Sequence, residues 1–95
     1  MNEPNPPFHP PTQRRGPYNH AAEAIKAAEP VYLLIVESPD PLAMRRGNFY
    51  VLVIAYRSAS VVLGAYDVQV LEEVANQAPE TVEVIAAIVS RAGRS

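Results

Sequence analysis

Residues 49–66 read FYVLVIAYRSASVVLGAY, and this stretch decides the fold that the sequence predicts. It is rich in apolar and β-branched residues and is interrupted once, at Arg57-Ser58-Ala59-Ser60. Such runs are typical of β-strands. We therefore predict a β-hairpin. Its connection has either two or four residues, because no Asn-Gly pair fixes the turn.

Both faces of the predicted hairpin are apolar, since side chains alternate between the two faces of a strand. One face carries Tyr50, Leu52, Ile54, Tyr56, Val61, Leu63 and Ala65. The other carries Phe49, Val51, Val53, Ala55, Val62, Gly64 and Tyr66. A hairpin with one face in water would alternate apolar with polar residues. Both faces of this one therefore need to be covered.

The segment before the hairpin predicts one helix and one strand. Asn19 to Glu29 is rich in alanine, can be capped by Asn19, and is ended by Pro30, so it predicts a short helix. Val31 to Glu37 is apolar on both faces and predicts a central strand. Residues 38–48 then form a loop that is longer than most connections.

The segment after the hairpin predicts a helix that begins at Asp67 and carries apolar residues at helical spacing. Pro79 interrupts this pattern. Residues 79–92 fit a kinked continuation of the helix, or a second helix with Pro79 in its first turn. The β-branched residues of Thr81–Ile85 also fit a fourth strand.

The predicted fold class is α+β. It has a small antiparallel three-stranded sheet in the order α-β-β-β-α-α, with the helices packed mainly on one face. Six of the ten prolines lie within residues 1–19, and proline cannot donate to a helix or sheet ladder. We predict a disordered Pro-rich arm over residues 1–18 and a single domain over residues 19–95. Pro7-x-x-Pro10 matches a loose PxxP pattern.

The composition favours a protein that is not an enzyme and needs no cofactor or metal. The chain has no cysteine, no Gly-rich phosphate loop, and only two histidines, His9 and His20, which lie in the arm and at the start of the first helix. Glu37 and Asp40 could be paired catalytic carboxylates, but Glu37 lies at the end of a predicted strand and Asp40 is typical of a turn, so neither needs a catalytic role. No apolar run approaches the ~20 residues that span a membrane, and the N-terminus does not resemble a signal peptide. We expect a cytoplasmic protein.

The apolar sheet face predicts self-association, because a monomer seldom exposes a large apolar patch. The self-association candidates are Phe49, Val51, Val53, Val62 and Tyr66. In the alternative, the two C-terminal helices cover both faces of one monomer.

We also predict a protein partner, bound by the loop from Pro39 to Asn48 together with the arm. The candidates for binding a partner or an anion are Arg45, Arg46, Arg57, Tyr50 and Tyr56. If the arginines converge, the alternative is weak binding of nucleic acid, with the tyrosines stacking on bases. The net charge of −2 gives this alternative no general support. Acidic residues on the helices, Glu72, Glu73, Glu80 and Glu83, predict a solvated acidic surface.

Overall fold

The computed structural model describes residues 15–38 and 40–93, and this part of the chain is all-helical. The five helices are α1 (Ala21–Ala27), α2 (Glu29–Glu37), α3 (Ala43–Ser58), α4 (Ala65–Val74) and α5 (Pro79–Gly93). No strand occurs in these two ranges. The predicted α+β fold with a three-stranded sheet is therefore wrong, and so is a sheet as the self-association surface.

Helix α3 replaces the first half of the predicted hairpin and most of the predicted loop. It has 16 residues and begins at Ala43, well before the apolar run, so its first turn includes the charged residues Arg45 and Arg46. Its buried residues are Ala43, Gly47, Asn48, Leu52 and Ala55, which recur at helical spacing. The apolar residues that would lie on both faces of a strand are thus divided between a core face and a solvent face of one helix.

The predicted turn at Arg57–Ser60 is the C-terminal end of α3. The N–H of Val61 donates to the carbonyl of Tyr56 at 3.0 Å, and the N–H of Ser60 donates to that of Arg57 at 2.9 Å. Ser60 adopts a left-handed conformation with φ 63°. This bonding pattern is a Schellman motif, which usually has glycine at the left-handed position. The chain then runs through residues 61–64 without regular structure.

Helix α2 replaces the predicted strand Val31–Glu37. Pro30 was expected to end the first helix, but α1 ends earlier, at Ala27, and Pro30 lies in the first turn of α2, where its missing N–H is tolerated. Helix α2 packs on α3 at Gly47. A Cβ on Gly47 would lie 3.1 Å from Cδ2 of Leu34 and 3.2 Å from Cγ1 of Val31, so the two helices approach closely there.

Helices α1 and α4 agree with helices that the sequence predicts, apart from their end residues. Helix α1 is capped at His20 rather than Asn19, and the carboxylate of Glu23 accepts the backbone N–H of Asn19 at 2.7 Å. Helix α4 begins after Gly64, and Asp67 caps it by accepting the Gly64 N–H at 2.9 Å. Of the three alternatives for residues 79–92, the structure has the second helix.

The core lies where α3, α4 and α5 meet. It is formed by the buried residues Leu52, Ala55, Leu71, Ala75, Val82 and Ala86. Seven further residues are partly buried against it: Phe49, Val51, Tyr56, Leu63, Val74, Ile85 and Val89. The alanines let α3 and α5 approach each other closely along the centre of the domain.

Only the last four residues of the predicted Pro-rich arm are described. Residues 15–18 have no regular secondary structure and contact α5 through Arg15 and Tyr18. Residues 1–14, including the Pro7-x-x-Pro10 pattern, lie outside the described residues. Within the described ranges, no helix combines the length and the apolar character that crossing a bilayer requires.

Candidate functional site

An unusual feature of the surface is the exposed apolar side of α2. Between Glu29 and Glu37 the helix has no charged residue. Only Val31 is fully buried, whereas Leu33 is 51%, Leu34 41% and Val36 81% exposed. Helices on the surface of a domain normally present a polar face to water. Helix α2 therefore has an apolar side that the described residues leave uncovered.

Helix α3 also exposes apolar residues beside its contact with α2. Tyr50 and Ile54 lie three and seven residues after Gly47, on the side of α3 where α2 packs, and they are 67% and 38% exposed. We call Leu33, Leu34, Val36, Tyr50 and Ile54 together the α2–α3 surface. Charged residues of both signs flank it: Glu29 and Glu37 at the ends of α2, and Arg46 and Arg57 along α3.

The structure separates the three arginines that were candidates for binding a partner or an anion. Arg45 and Arg46 lie in the first turn of α3, and Arg57 lies in its last turn. Arg46 and Arg57 are eleven residues apart, which is about 17 Å along the helix axis. Arg46 forms an ion pair with Asp40. The hydrogen bond from the Leu42 backbone N–H, and after it the bond from Arg46, lower the pKa of the Asp40 carboxyl. Arg45 and Arg46 line a surface cleft that also contains Glu72.

The other candidates are distributed over several separate places. Phe49 and Val51 pack against the core, and Val53 lies half-buried on α3. Tyr50 belongs to the α2–α3 surface. Tyr56 and Tyr66 are brought together in a cleft of about 320 Å³ beside α4, which also contains Val61 and Val70. Val62 is 91% exposed in the connection before α4. We call the cleft that contains Tyr56 and Tyr66 the α4 cleft, and it is the second apolar site.

A polar cluster around Glu83 was not predicted. Glu83 was expected in a solvated acidic surface, but it is only 5% exposed. Its carboxylate accepts hydrogen bonds from Arg15 at 2.7 and 3.2 Å and from the Tyr18 hydroxyl at 2.7 Å. Arg91 donates to the Arg15 carbonyl at 2.6 Å. Burial and the neighbouring carboxylate raise the pKa of Tyr18 to about 12.

Glu80 is also engaged rather than solvated. The hydroxyl of Tyr32 on α2 donates to its carboxylate at the start of α5. This hydrogen bond lowers the pKa of Glu80 and raises the pKa of Tyr32. The contact ties one side of α2 to α5, so α2 presents a defined opposite side to solvent.

The sequence contains one signal for these missed features. In α5, Glu83 follows Val82 and precedes Ala86 on the same helical stripe, so a helical reading of 79–93 places it at the buried face. No local pattern links it to Arg15, which is 68 residues away in the chain.

No protein-family model, curated protein or solved structure matches this chain in the comparisons with known proteins. Among residues 15–38 and 40–93, no group of three or more His, Cys, Asp or Glu side chains is placed to hold a metal ion. In the part of the chain that the structure describes, the fold and the surfaces define a small all-helical domain with two exposed apolar sites.

Proposed function

We propose that the protein is a non-enzymatic binding module that forms a homodimer through the α2–α3 surface and engages a protein partner. The observation that carries this proposal is the exposure of Leu33, Leu34 and Val36 on a helix without a charged residue between its ends. Contiguous apolar patches on a domain surface mark interaction sites.

A second copy of the chain fits the α2–α3 surface because its centre is neutral. A two-fold interface brings the same residues of both copies together, so a charged centre would face its own charge. Here the centre holds leucine, valine, isoleucine and a tyrosine, and pairing it with itself creates no like-charge contact. Tyrosine is also enriched among the residues that dominate binding energy at interfaces.

The flanking charges favour the same arrangement. Glu29 and Glu37 are acidic and Arg57 is basic, so one copy offers both signs at the edge of the surface. In a two-fold pair, the acidic residues of one copy can face the basic residue of the other. Such edge charges contribute mainly to the orientation of the partners and to the rate of association.

The α4 cleft is where we place the protein partner. It is lined by Tyr56, Val61, Tyr66 and Val70, and dimerisation through α2 and α3 leaves it open in this proposal. An apolar segment of a partner would fill it, with Asp67 at its edge as the charged neighbour. We place this module in the cytoplasm.

The alternative of nucleic-acid binding has less support. It needed Arg45, Arg46 and Arg57 to converge, but they occupy the two ends of α3. Arg46 is paired with Asp40, and Glu72 lies in the cleft that Arg45 and Arg46 line. Carboxylates beside the arginines oppose the approach of phosphate groups.

A matched pair of variants tests the dimer surface. Leu33 on α2 and Ile88 on α5 are 51% and 52% exposed, and both lie in the interior of a helix. Leu33→Glu should convert the dimer to a monomer. The two-fold interface would bring the new glutamate of one protomer close to the same glutamate of its partner, and the two negative charges would repel each other. Ile88→Glu should leave the dimer intact. Circular dichroism checks that both variants fold, and light scattering measures their mass. A Leu33→Glu variant that is folded and still dimeric would refute the α2–α3 interface.

A further inference from the structure

The α4 cleft has a chemical character that limits what can fill it. Around a volume of about 320 Å³, its walls include Tyr56 and Tyr66 and the aliphatic residues Val61, Leu63 and Val70. Tyr66 is 74% exposed. Within the described ranges, neither tyrosine hydroxyl has a hydrogen-bond partner. The cleft therefore offers apolar surface, two aromatic rings and two hydroxyl donors.

Proline-rich segments match this character. A polyproline II helix has no internal hydrogen bonds, so its backbone carbonyls can accept hydrogen bonds from a binding site. Proline has no N–H, so such a segment brings few backbone donors that would need acceptors in the cleft. Grooves lined by aromatic side chains bind proline-rich segments in this way.

The chain contains a segment of this kind before the part that the structure describes. Residues 4–11 read PNPPFHPP, so five of these eight residues are prolines, and the segment has no acidic residue, lysine or arginine. Within it, Pro7-x-x-Pro10 has the PxxP spacing of segments that bind aromatic grooves. Because it lacks these charges, the segment can enter an apolar cleft at a small cost in desolvation.

The position of Arg15, the first described residue, brings this segment close to the α4 cleft. Arg91 on α5 donates to the Arg15 carbonyl at 2.6 Å. Two residues further along α5, Gly93 packs directly on Ala59, and a Cβ on Gly93 would overlap it. Ala59 is two residues before Val61, which lines the cleft. The path of contacts from Arg15 to the cleft is therefore at most about 30 Å long.

Residues 4–11 can span this path. A polyproline II segment extends by about 3.1 Å per residue, so Pro10 lies about 16 Å and Pro4 about 34 Å from Arg15 when the chain is extended. A segment that is joined to its own binding site has an effective concentration on the order of 1 mM there. A site of modest intrinsic affinity is then largely occupied by the segment of its own chain.

We propose that residues 4–11 bind in the α4 cleft of their own chain as a polyproline II segment, so that a protein partner has to displace them. Prolines of the segment pack on the rings of Tyr56 and Tyr66, whose hydroxyls donate to its backbone carbonyls. This inference rests on the proposed function in one respect, which is that the α4 cleft is a binding site.

The test measures how a free peptide of residues 4–12, PNPPFHPPT, binds to the full chain. The parent is compared with a four-proline variant, in which Pro6, Pro7, Pro10 and Pro11 are all replaced by serine. Amide chemical shifts of the ¹⁵N-labelled proteins are followed during the titrations. With the variant we expect saturable shifts at residues of the α4 cleft and a dissociation constant below about 1 mM. The parent should bind the peptide at least about twofold more weakly, because its own segment competes for the cleft.

Two tyrosine variants show whether the peptide binds in the α4 cleft. Tyr66 lines the cleft and is 74% exposed, whereas Tyr50 lies on the α2–α3 surface and is 67% exposed. In the four-proline variant, Tyr66→Ala should weaken peptide binding about fivefold or more, and Tyr50→Ala should leave it within about twofold. Circular dichroism checks that both variants fold. Equal effects of the two substitutions would place the peptide elsewhere and overturn the proposal.

The Leu33→Glu background separates binding within one chain from exchange between two copies. This substitution is expected to give a monomer, and the residues of the α4 cleft are unchanged in it. Competition by residues 4–11 should persist there, so the peptide should still bind more weakly than it does to Leu33→Glu combined with the four serines. Loss of the competition in this background would place the segment in the cleft of a second copy, which contradicts the proposal.

Two further results would overturn the proposal. The first is a peptide that causes no saturable shift in the four-proline variant up to about 5 mM. The second is equal affinity of the parent and the variant for the peptide, because the segment would then not occupy the cleft. Light scattering on the same samples keeps the homodimer as a separate question. A monomeric parent that shows the expected competition would refute the dimer and leave this inference standing, and a dimer that shows none would do the reverse.

Discussion

Arg15 and Glu83 are 68 residues apart in the chain and form a two-point ion pair at the edge of the core. The guanidinium Nη2 donates to Oε1 at 2.7 Å, and Nε donates to Oε2 at 3.2 Å. The Glu83 side chain is 7% exposed and that of Arg15 28%. This pair fixes the last residues of the N-terminal segment on α5.

Removing Arg15 should destabilise the domain, because it leaves the Glu83 carboxylate buried without its cation. We expect Arg15→Ala to lower the free energy of unfolding by about 1–3 kcal/mol, measured by chemical denaturation. In a Glu83→Gln background the same substitution should cost much less, since no charge is stranded. Arg46→Ala is the control, because its partner Asp40 is in an exposed pair and the loss should be small. Equal losses for Arg15 and Arg46 would contradict the buried pair.

Tyr18 should make stability fall with pH in the alkaline range. Its pKa is raised to about 12 in the folded state, against about 10 when it is unfolded. A group whose pKa is raised on folding stabilises the fold fully below its unfolded pKa, and loses that effect as the pH rises through its folded pKa. The difference in stability between the parent and Tyr18→Phe should therefore shrink from pH 10 to pH 12. An ultraviolet titration should show that Tyr18→Phe removes the tyrosine that ionises near pH 12. A difference that is constant with pH would show that the hydroxyl does not contact Glu83 in solution.

Glycine should be more favourable than serine at position 60, at the end of α3. Its φ of 63° lies in the left-handed region that non-glycine residues adopt at a cost. We expect Ser60→Gly to raise the free energy of unfolding by about 0.5–1 kcal/mol. Ser58→Gly is the matched control inside the same helix end, where glycine should destabilise. If Ser60→Gly destabilises as Ser58→Gly does, the left-handed helix end is not present in solution.

The parts of the fold that could be predicted have local signals. Alanine content, Pro30 and Pro79, and acidic residues near helix starts identify α1, α4 and α5 to within a few residues. These signals depend on the backbone of one segment and its caps. They do not require knowledge of what the segment packs against.

Helices α2 and α3 could not be predicted in this way because an apolar run has no clear period. A strand covered on both faces and a largely apolar helix give the same pattern, and only length separates them. The length of α3 is hidden, since its first turns are polar and include Gly47, which favours neither element. Its end is hidden as well, because a serine stands where a Schellman motif usually has glycine.

The two candidate sites differ in how far the sequence indicates them. Tyr50, Tyr56, Val62 and Tyr66 were selected from the sequence as interaction residues, and the structure leaves Tyr50, Val62 and Tyr66 exposed. Leu33, Leu34 and Val36 can be predicted as an exposed group only if residues 29–37 are predicted as a helix. The central strand that the sequence predicts would bury them. The cluster of Arg15, Tyr18 and Glu83 depends on tertiary packing over 68 residues, which no local pattern records.

The mass of the full chain in solution tests self-association most directly. Light scattering on a dilution series should give twice the chain mass of 10.4 kDa at high concentration, with a shift toward 10.4 kDa on dilution. A mass of 10.4 kDa at every concentration would show that the α2–α3 surface is not a dimer interface, and the proposed homodimer would be wrong.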